Sequence, residues 1–276
     1  MKILVFSLFF LFFFCNGQTP YAKAYFSNPL DINLILSGSF AELRTNHFHS
    51  GLDIKTQGKE GFETFASAEG YVSRIKISRN GYGKALYIKH PNGYTTVYAH
   101  LQKFSPTIES YVKKKQYERE TFEIELFPKA GTLKVLNKQL IAFTGNTGGS
   151  GGPHLHFEIR DQQERPLNPL MFGFDIKDTT PPVIYGLFGY PLSEKSHIGG
   201  DIKRVKIKIV KQEDGTFKSE PINAYGKIGL GIISTDRQDL ASNKNGVNNI
   251  QTFYNGQKSL EVNLNQFSFD ETKHLN

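Results

Sequence analysis

The run His154-Leu155-His156-Phe157-Glu158-Ile159-Arg160 constrains this chain more than any other feature. Polar and apolar residues alternate through it. In a β-strand that period sends every second side chain to the same face, so the two imidazoles and Glu158 leave together. A Gly-rich turn ending in Gly151-Gly152-Pro153 leads into the run. A second polar cluster, His49-Ser50-Gly51-Leu52-Asp53, lies far upstream. Gly51 argues against a helix there, so His49 and Asp53 come from a strand or a loop. Together the clusters offer imidazole and carboxylate, donors that zinc takes, with histidine to spare for acid–base work.

Each histidine taken alone has a plainer reading. His47 competes with His49 as a ligand, and a solitary histidine in such a place is usually a hydrogen-bonding surface residue. His100 ends a strand and His90 precedes the Pro91 turn, positions that are ordinarily structural. His197 and His274 carry no supporting context. A simple strand glutamate is the safer reading of Glu158, with support of a ligand as the alternative.

The first seventeen residues read as an export signal. Lys2 supplies the positive end, Ile3 to Phe14 are unbroken apolar residues, and Cys15-Asn16-Gly17 offers small residues for cleavage. The run is short for a bilayer-spanning helix, so no integral membrane span is expected after cleavage. Bulky Phe14 argues against a lipid on Cys15. That cysteine is the only one in the chain. Its removal excludes disulfides, a thiol nucleophile and cysteine-ligated zinc. The net charge of +7 suits a polyanionic surface such as a cell wall or outer leaflet. Charge alone would also suit nucleic acid; export argues against it.

Val72 to Ile77, Ala85 to His90, Tyr94 to Leu101, Gln139 to Thr144 and Leu155 to Arg160 carry strand patterns. Pro91-Asn92-Gly93 marks a hairpin turn, since Asn and Gly accept positive φ. Pro106 to about Glu120 suits a short surface helix, followed by a strand from Thr121 to Phe127. This insertion is either solvated or a flap facing substrate. After Asp178-Thr179-Thr180-Pro181-Pro182, a stiff extended linker, Val205 to Val210, Gly229 to Thr235 and Ile250 to Tyr254 alternate again. The expected architecture is therefore all-β dominated. An antiparallel domain over residues 18–178 (core 44–170, insertion about 105–128) precedes an immunoglobulin-like β-sandwich module over residues 179–276. The latter is barely long enough for one sandwich, as in a truncated chain or one with strands missing.

Several segments occur in an order that resembles one family. They are His49-Ser50-Gly51-Leu52-Asp53-Ile54, Phe65-Ala66-Ser67-Ala68-Glu69-Gly70-Tyr71-Val72, Asn80-Gly81-Tyr82-Gly83, His90-Pro91-Asn92-Gly93, Thr96-Val97-Tyr98-Ala99-His100-Leu101, and Gly145-Asn146-Thr147-Gly148 running into His154-Leu155-His156-Phe157-Glu158. This pattern is similar to that of the lysostaphin-like (LytM-type, β-lytic) zinc metalloendopeptidases. The resemblance implies that His49, Asp53 and His156 hold Zn2+ with a fourth position open to water. It implies that His154 is the general base or proton shuttle, and that His100 orients the water or stabilises the oxyanion. It further implies a periplasmic or extracellular enzyme, associated with the cell wall, that cuts peptide stems or cross-links of bacterial peptidoglycan. Two other readings stand beside it: a non-catalytic wall-binding or amidase-activating module, and a secreted protease against Gly-rich proteins. The chain departs from the family in its Pro106 to Phe127 insertion and in the turn Leu136-Asn137-Lys138-Gln139, where Asn is expected to take the left-handed position.

Overall fold

The computed structural model describes residues 21–239 and 241–272. The export-signal segment 1–17 and His274 lie outside the described residues. The N-terminal part is built from β1 (Leu36–Gly38), β2 (Leu52–Lys55), β3 (Glu63–Phe65), β4 (Gly70–Ile77), β5 (Lys84–Lys89), β6 (Thr95–Ala99), β7 (Lys103–Phe104), α1 (Pro106–Glu118), β8 (Ile124–Leu126), β9 (Lys134–Val135), β10 (Leu140–Phe143), β11 (His154–Arg160) and β12 (Pro166–Leu167). The main sheet runs β1-β2-β11-β6-β5-β4-β8, with β12 added to β11 and β9 to β4. A smaller sheet, β3-β10-β7, accompanies it. The observed pairings in both are antiparallel.

Alternation along the strands gives the main sheet two different faces. Leu52 and Ile54 of β2, Val72, Ile75 and Ile77 of β4, Leu86 and Ile88 of β5, and Leu155, Phe157 and Ile159 of β11 enter one hydrophobic core. Their neighbours point the other way. On β11 these are His154, His156, Glu158 and Arg160, and the last three are buried as well. The strand is thus covered on both faces, apolar on one and polar on the other. The register sets Asp53 of β2 and Ala99 of β6 on either side of His156. Close contact between β2 and β11 depends on Gly51, where a Cβ would stand 2.3 Å from the carbonyl oxygen of Phe157.

The hairpin at Pro91 forms as expected: Gly93 has φ of 88° and its amide bonds the carbonyl of His90. His90 is structural. Its ring lies between the Glu69 carbonyl at 2.7 Å and Thr96 Oγ1 at 2.8 Å. The insertion gives the expected helix and strand, but not a flap over the histidines. Ile108 and Val112 of α1 join the core, and β8 pairs with β4 at the far edge of the sheet. Four strand spacings of about 4.8 Å separate β8 from β11, about 19 Å in all. In the 136–139 turn the left-handed residue is Lys138, with φ of 60°, rather than Asn137.

The C-terminal part contains β13 (Val183–Pro191), β14 (His197–Ile198), β15 (Val205–Ile207), β16 (Ile209–Lys211), β17 (Phe217–Ser219), β18 (Ala224–Tyr225), β19 (Ile228–Thr235), β20 (Asn249–Tyr254), β21 (Gln257–Asn263) and the short helix α2 (Phe269–Thr272). Its described strands form one three-stranded sheet, β15-β13-β19, and three separate pairs. These pairings do not by themselves confirm an immunoglobulin-like sandwich. Leu230 and Ile232 alternate on β19 as the sequence suggests, yet both stay exposed.

This part is stitched to the first. Gln238, buried and some two hundred residues from its partners, donates to the Leu34 carbonyl at 2.6 Å and accepts from the Leu36 amide at 2.8 Å. Asn243 donates to the Leu36 carbonyl, and the Gly246 amide to Ser39 Oγ. The exposed side of edge strand β1 is therefore capped by side chains. Phe267 packs its ring 5.2 Å from Phe40 and 5.6 Å from Phe48.

Two expected outcomes follow from these contacts. Gln238→Ala strands a buried donor and acceptor and should cost about 1–3 kcal/mol in urea unfolding of the full chain; a change below about 0.5 kcal/mol would remove the clasp from the account. Burial pushes the His90 pKa down to about 4, against the bond to the Glu69 carbonyl, which raises it. The unfolded chain protonates this imidazole near pH 6.5, the folded chain only near 4. The contribution is complete above the unfolded pKa and is lost as pH falls through that window, on the order of 3 kcal/mol. Stability measured from pH 7 to 4 should fall less steeply in His90→Gln than in the parent.

Candidate metal centre

Three side chains from two adjacent strands and the turn before them converge on one point. His49 Nε2, Asp53 Oδ1 and His156 Nδ1 form a triangle whose three edges are each 3.0 Å. The protons on the two rings are fixed from behind. His49 Nδ1 lies 2.8 Å from the Ser39 carbonyl, which can only accept, so Nδ1 carries the hydrogen and Nε2 the lone pair. His156 Nε2 lies 2.8 Å from Glu158 Oε1, so its lone pair is on Nδ1. Two lone pairs and a carboxylate oxygen thus face one another with no donor between them.

Only a cation or a shared proton satisfies such an arrangement. The proton's pull is visible in His156: burial works against its charged form, but bonds to Asp53 and Glu158 outweigh burial and push the pKa up to about 9. The same imidazoles, against the opposing effect of burial, hold Asp53 far below the usual carboxylate range. The donor set also suits zinc. Tetrahedral bonds of about 2.0–2.1 Å separate ligand atoms by about 3.3–3.4 Å, so each 3.0 Å edge need open only slightly.

Glu158 anchors this triangle from the sheet side and is fully buried. Its Oε1 accepts from His156, from Ser50 Oγ at 2.7 Å and from the Tyr82 hydroxyl; its Oε2 accepts from Arg160 Nε at 2.6 Å. Burial opposes the charge of Glu158, but Arg160 and His156 hold its pKa well below the ordinary range. Tyr82 stays a phenol because burial and the Glu158 charge push its pKa well up. The second Asp53 oxygen is taken by Arg44 Nη2 at 3.1 Å, which leaves Oδ1 for the centre. Arg160 in turn lies over the Phe269 ring at 4.8 Å, so the C-terminal segment touches the support of His156.

His154 and His100 stand beside the triangle. His154 Nδ1 donates to the Gly152 carbonyl at 2.8 Å, and its Nε2 comes within 3.4 Å of Asp53 Oδ1. His100 Nδ1 donates to the Thr147 carbonyl at 2.8 Å. The two rings are 4.7 Å apart. His100 has φ of 58°, a left-handed conformation unusual for a residue with a Cβ, which turns the chain off the end of β6. Burial, followed by the repulsion of neighbouring imidazoles, pushes its pKa down to about 4. It is neutral near pH 7.

All five residues picked from the sequence therefore meet in one cleft, with His47 exposed at its mouth. His197 is elsewhere, stacked on Tyr225. Sequence reasoning passed over Ser50, Tyr82, Arg44 and Arg160. Ser50 and Tyr82 lie inside the quoted segments, and Arg160 continues the alternation beyond Glu158, so a signal for these three was present. Arg44 had none. The glycines of the 145–152 turn divide by role. A Cβ on Gly148 would stand 2.3 Å from the Gly83 amide nitrogen, so that glycine serves packing between loops. Gly151 and Gly152 meet nothing within 4 Å and border the open cleft.

Glu158→Gln should weaken zinc about 10–100-fold in a chelator competition, because His156 loses its charged partner. It should also cost about 3–5 kcal/mol of stability, since Arg160 is left buried beside a neutral group. Unchanged zinc affinity in the folded variant would reduce Glu158 to a structural residue.

Residues 47–117 match the family model described as Peptidase family M23. DD-carboxypeptidase/endopeptidase Mpg of Neisseria meningitidis serogroup B (strain MC58) is 33% identical over 138 residues, which is 50% of this chain and 26% of that protein. Peptidoglycan DD-endopeptidase ShyA of Vibrio cholerae is 28% identical over 173 residues, 60% of this chain and 34% of that protein. The chain therefore spans about a quarter to a third of the length of these relatives. Among solved structures, Helicobacter pylori Csd3 is 26% identical with a TM-score of 0.39, covering 55% of this chain and 33% of that one. Residues 47–117, which overlap the ordered segments from His49 to Glu158, therefore carry the sequence pattern of peptidase family M23, the LytM-type pattern.

Proposed function

We propose that this chain is an exported zinc endopeptidase that hydrolyses peptide bonds in the stems or cross-links of bacterial peptidoglycan. One observation carries the reading: three acceptor atoms 3.0 Å apart, with two further histidines whose Nδ1 hydrogens are engaged by backbone carbonyls. His49, Asp53 and His156 would hold the ion, which when bound acidifies water and polarises the scissile carbonyl. The similarity to the peptidoglycan DD-endopeptidase ShyA of Vibrio cholerae supports the substrate class.

The remaining chemistry belongs to the two auxiliary imidazoles. With Nδ1 donating to a carbonyl, each presents a lone pair at Nε2. His154 Nε2, nearest to Asp53, accepts a proton from the attacking water and returns it to the departing amine nitrogen. Neutral His100 acts as a second acceptor at Nε2, which favours orienting water over donating to an oxyanion in the resting site. The open backbone of Gly151 and Gly152 suits a peptide with small side chains.

The competing non-catalytic reading expects ligands to be lost, and the complete set of donors favours hydrolysis. The apolar residues 3–14 support export, and among the described residues no helix is long and apolar enough to cross a membrane. The basic charge would favour contact with an anionic wall.

Elemental analysis should find one zinc per chain, abolished by His49→Ala or Asp53→Ala. His154→Ala should retain zinc and lose turnover of purified sacculi by about 10²–10⁴-fold, read as released fragments by mass spectrometry. Full activity in that variant would remove the assigned role of His154. Sacculi left uncut by zinc-loaded parent protein would remove the hydrolase reading.

A further inference from the structure

Lys55 is a part of the ligand-bearing strand that the chemistry above does not use. It follows Asp53 by two residues on β2, so both side chains leave the same face of the sheet. The β2–β11 register sets it directly opposite His154. It is half-buried, and its ammonium group makes no hydrogen bond or ion pair among the described residues. A partly desolvated cation without a counter-charge favours an anion at that place.

The cleft beyond the metal ligands on this side has walls of contrasting character. Arg44, Lys55 and Gln57 line one, and Gly151, Gly152 and Pro153 line the other. Arg44 engages Glu42 and Asp53 through Nη2 alone. Arg44 also borders the limb on the other side of the centre, together with Thr45, Gly81, Tyr82, Ser150 and Phe269, and no lysine reaches that limb. Lys55 is therefore the cation that distinguishes one end of the cleft from the other. The two-residue step from Asp53 to Lys55 is about 6.6–6.8 Å along the strand, the advance of about two residues in an extended peptide.

We propose that Lys55, assisted by Arg44 and Gln57, forms a carboxylate subsite, and that the preferred substrate is an anionic peptide with a free carboxylate one or two residues from the scissile bond. This inference rests on the hydrolase reading and specifies the substrate within it. Gly-rich neutral peptides lack the group that Lys55 would bind.

The test uses the full chain and two synthetic stem peptides, identical except that the carboxylates are free in one and amidated in the other. The parent should cleave the free acid with kcat/KM about tenfold or more above the amide, mostly through KM, the scale of one charge-assisted hydrogen bond. Lys55→Gln should bring the two peptides to within about twofold of each other. Lys55→Arg should restore most of the preference. Equilibrium binding of both peptides to His154→Ala and to His154→Ala/Lys55→Gln supplies a readout independent of turnover. Hydrolysis without carboxylate selectivity, or equal losses on both peptides in Lys55→Gln, overturns the subsite and leaves the hydrolase. Carboxylate-selective binding without hydrolysis keeps the subsite and removes the hydrolase. Neither selectivity nor hydrolysis removes both.

Discussion

Three acceptor atoms crowded to 3.0 Å in a mostly buried pocket repel one another unless positive charge lies among them. Much of the surrounding polar structure serves to hold that arrangement against its own repulsion. The Ser39 carbonyl fixes the His49 ring, Glu158 fixes the His156 ring, and Arg44 engages one oxygen of Asp53 so that the other faces inward. Each support has its own partners. Glu158 is buried with four donors around it, and its negative charge is matched by Arg160. This is how a β-strand can be buried on a polar face: every hydrogen-bonding group there has somewhere to go.

The support extends to the C-terminal part. Gln238 and Asn243 hold β1, and the Gly246 amide bonds Ser39 and Glu42 in the turn that carries the His49 anchor. Glu42 also binds Arg44, which binds Asp53. Phe269 lies under Arg160 on the other flank. Contacts from this segment thus reach the environment of all three ligand residues.

How much was legible depended on the range of the interactions. In the first part β4, β5, β6, β10 and β11 followed from period-two alternation, and α1 and β8 from a local change of pattern. The two- and three-residue strands β1, β3, β7, β9 and β12 are too short to show a period. His49, Asp53, His100, His154 and His156 could be selected because their ordered segments resemble one family; spacing alone left His47 and His49 in competition. Glu158 was ambiguous for a physical reason. A strand glutamate looks the same in sequence whether it faces water or accepts four hydrogen bonds. Arg44 and Gln238 were invisible because their partners are set by loop closure and by pairing across the whole chain. The sandwich expectation is not confirmed on the same ground: alternation predicts strands but not which of them find a second sheet.

Anomalous diffraction from crystals of the zinc-loaded full chain, recorded on both sides of the zinc edge, would locate the ion. One zinc peak should appear, bound by His49 Nε2, Asp53 Oδ1 and His156 Nδ1 at about 2.0–2.2 Å, with His100 and His154 outside the bonding distance. A zinc peak held by a different set of side chains, or its absence from this cluster in fully folded protein, would contradict this ligand set.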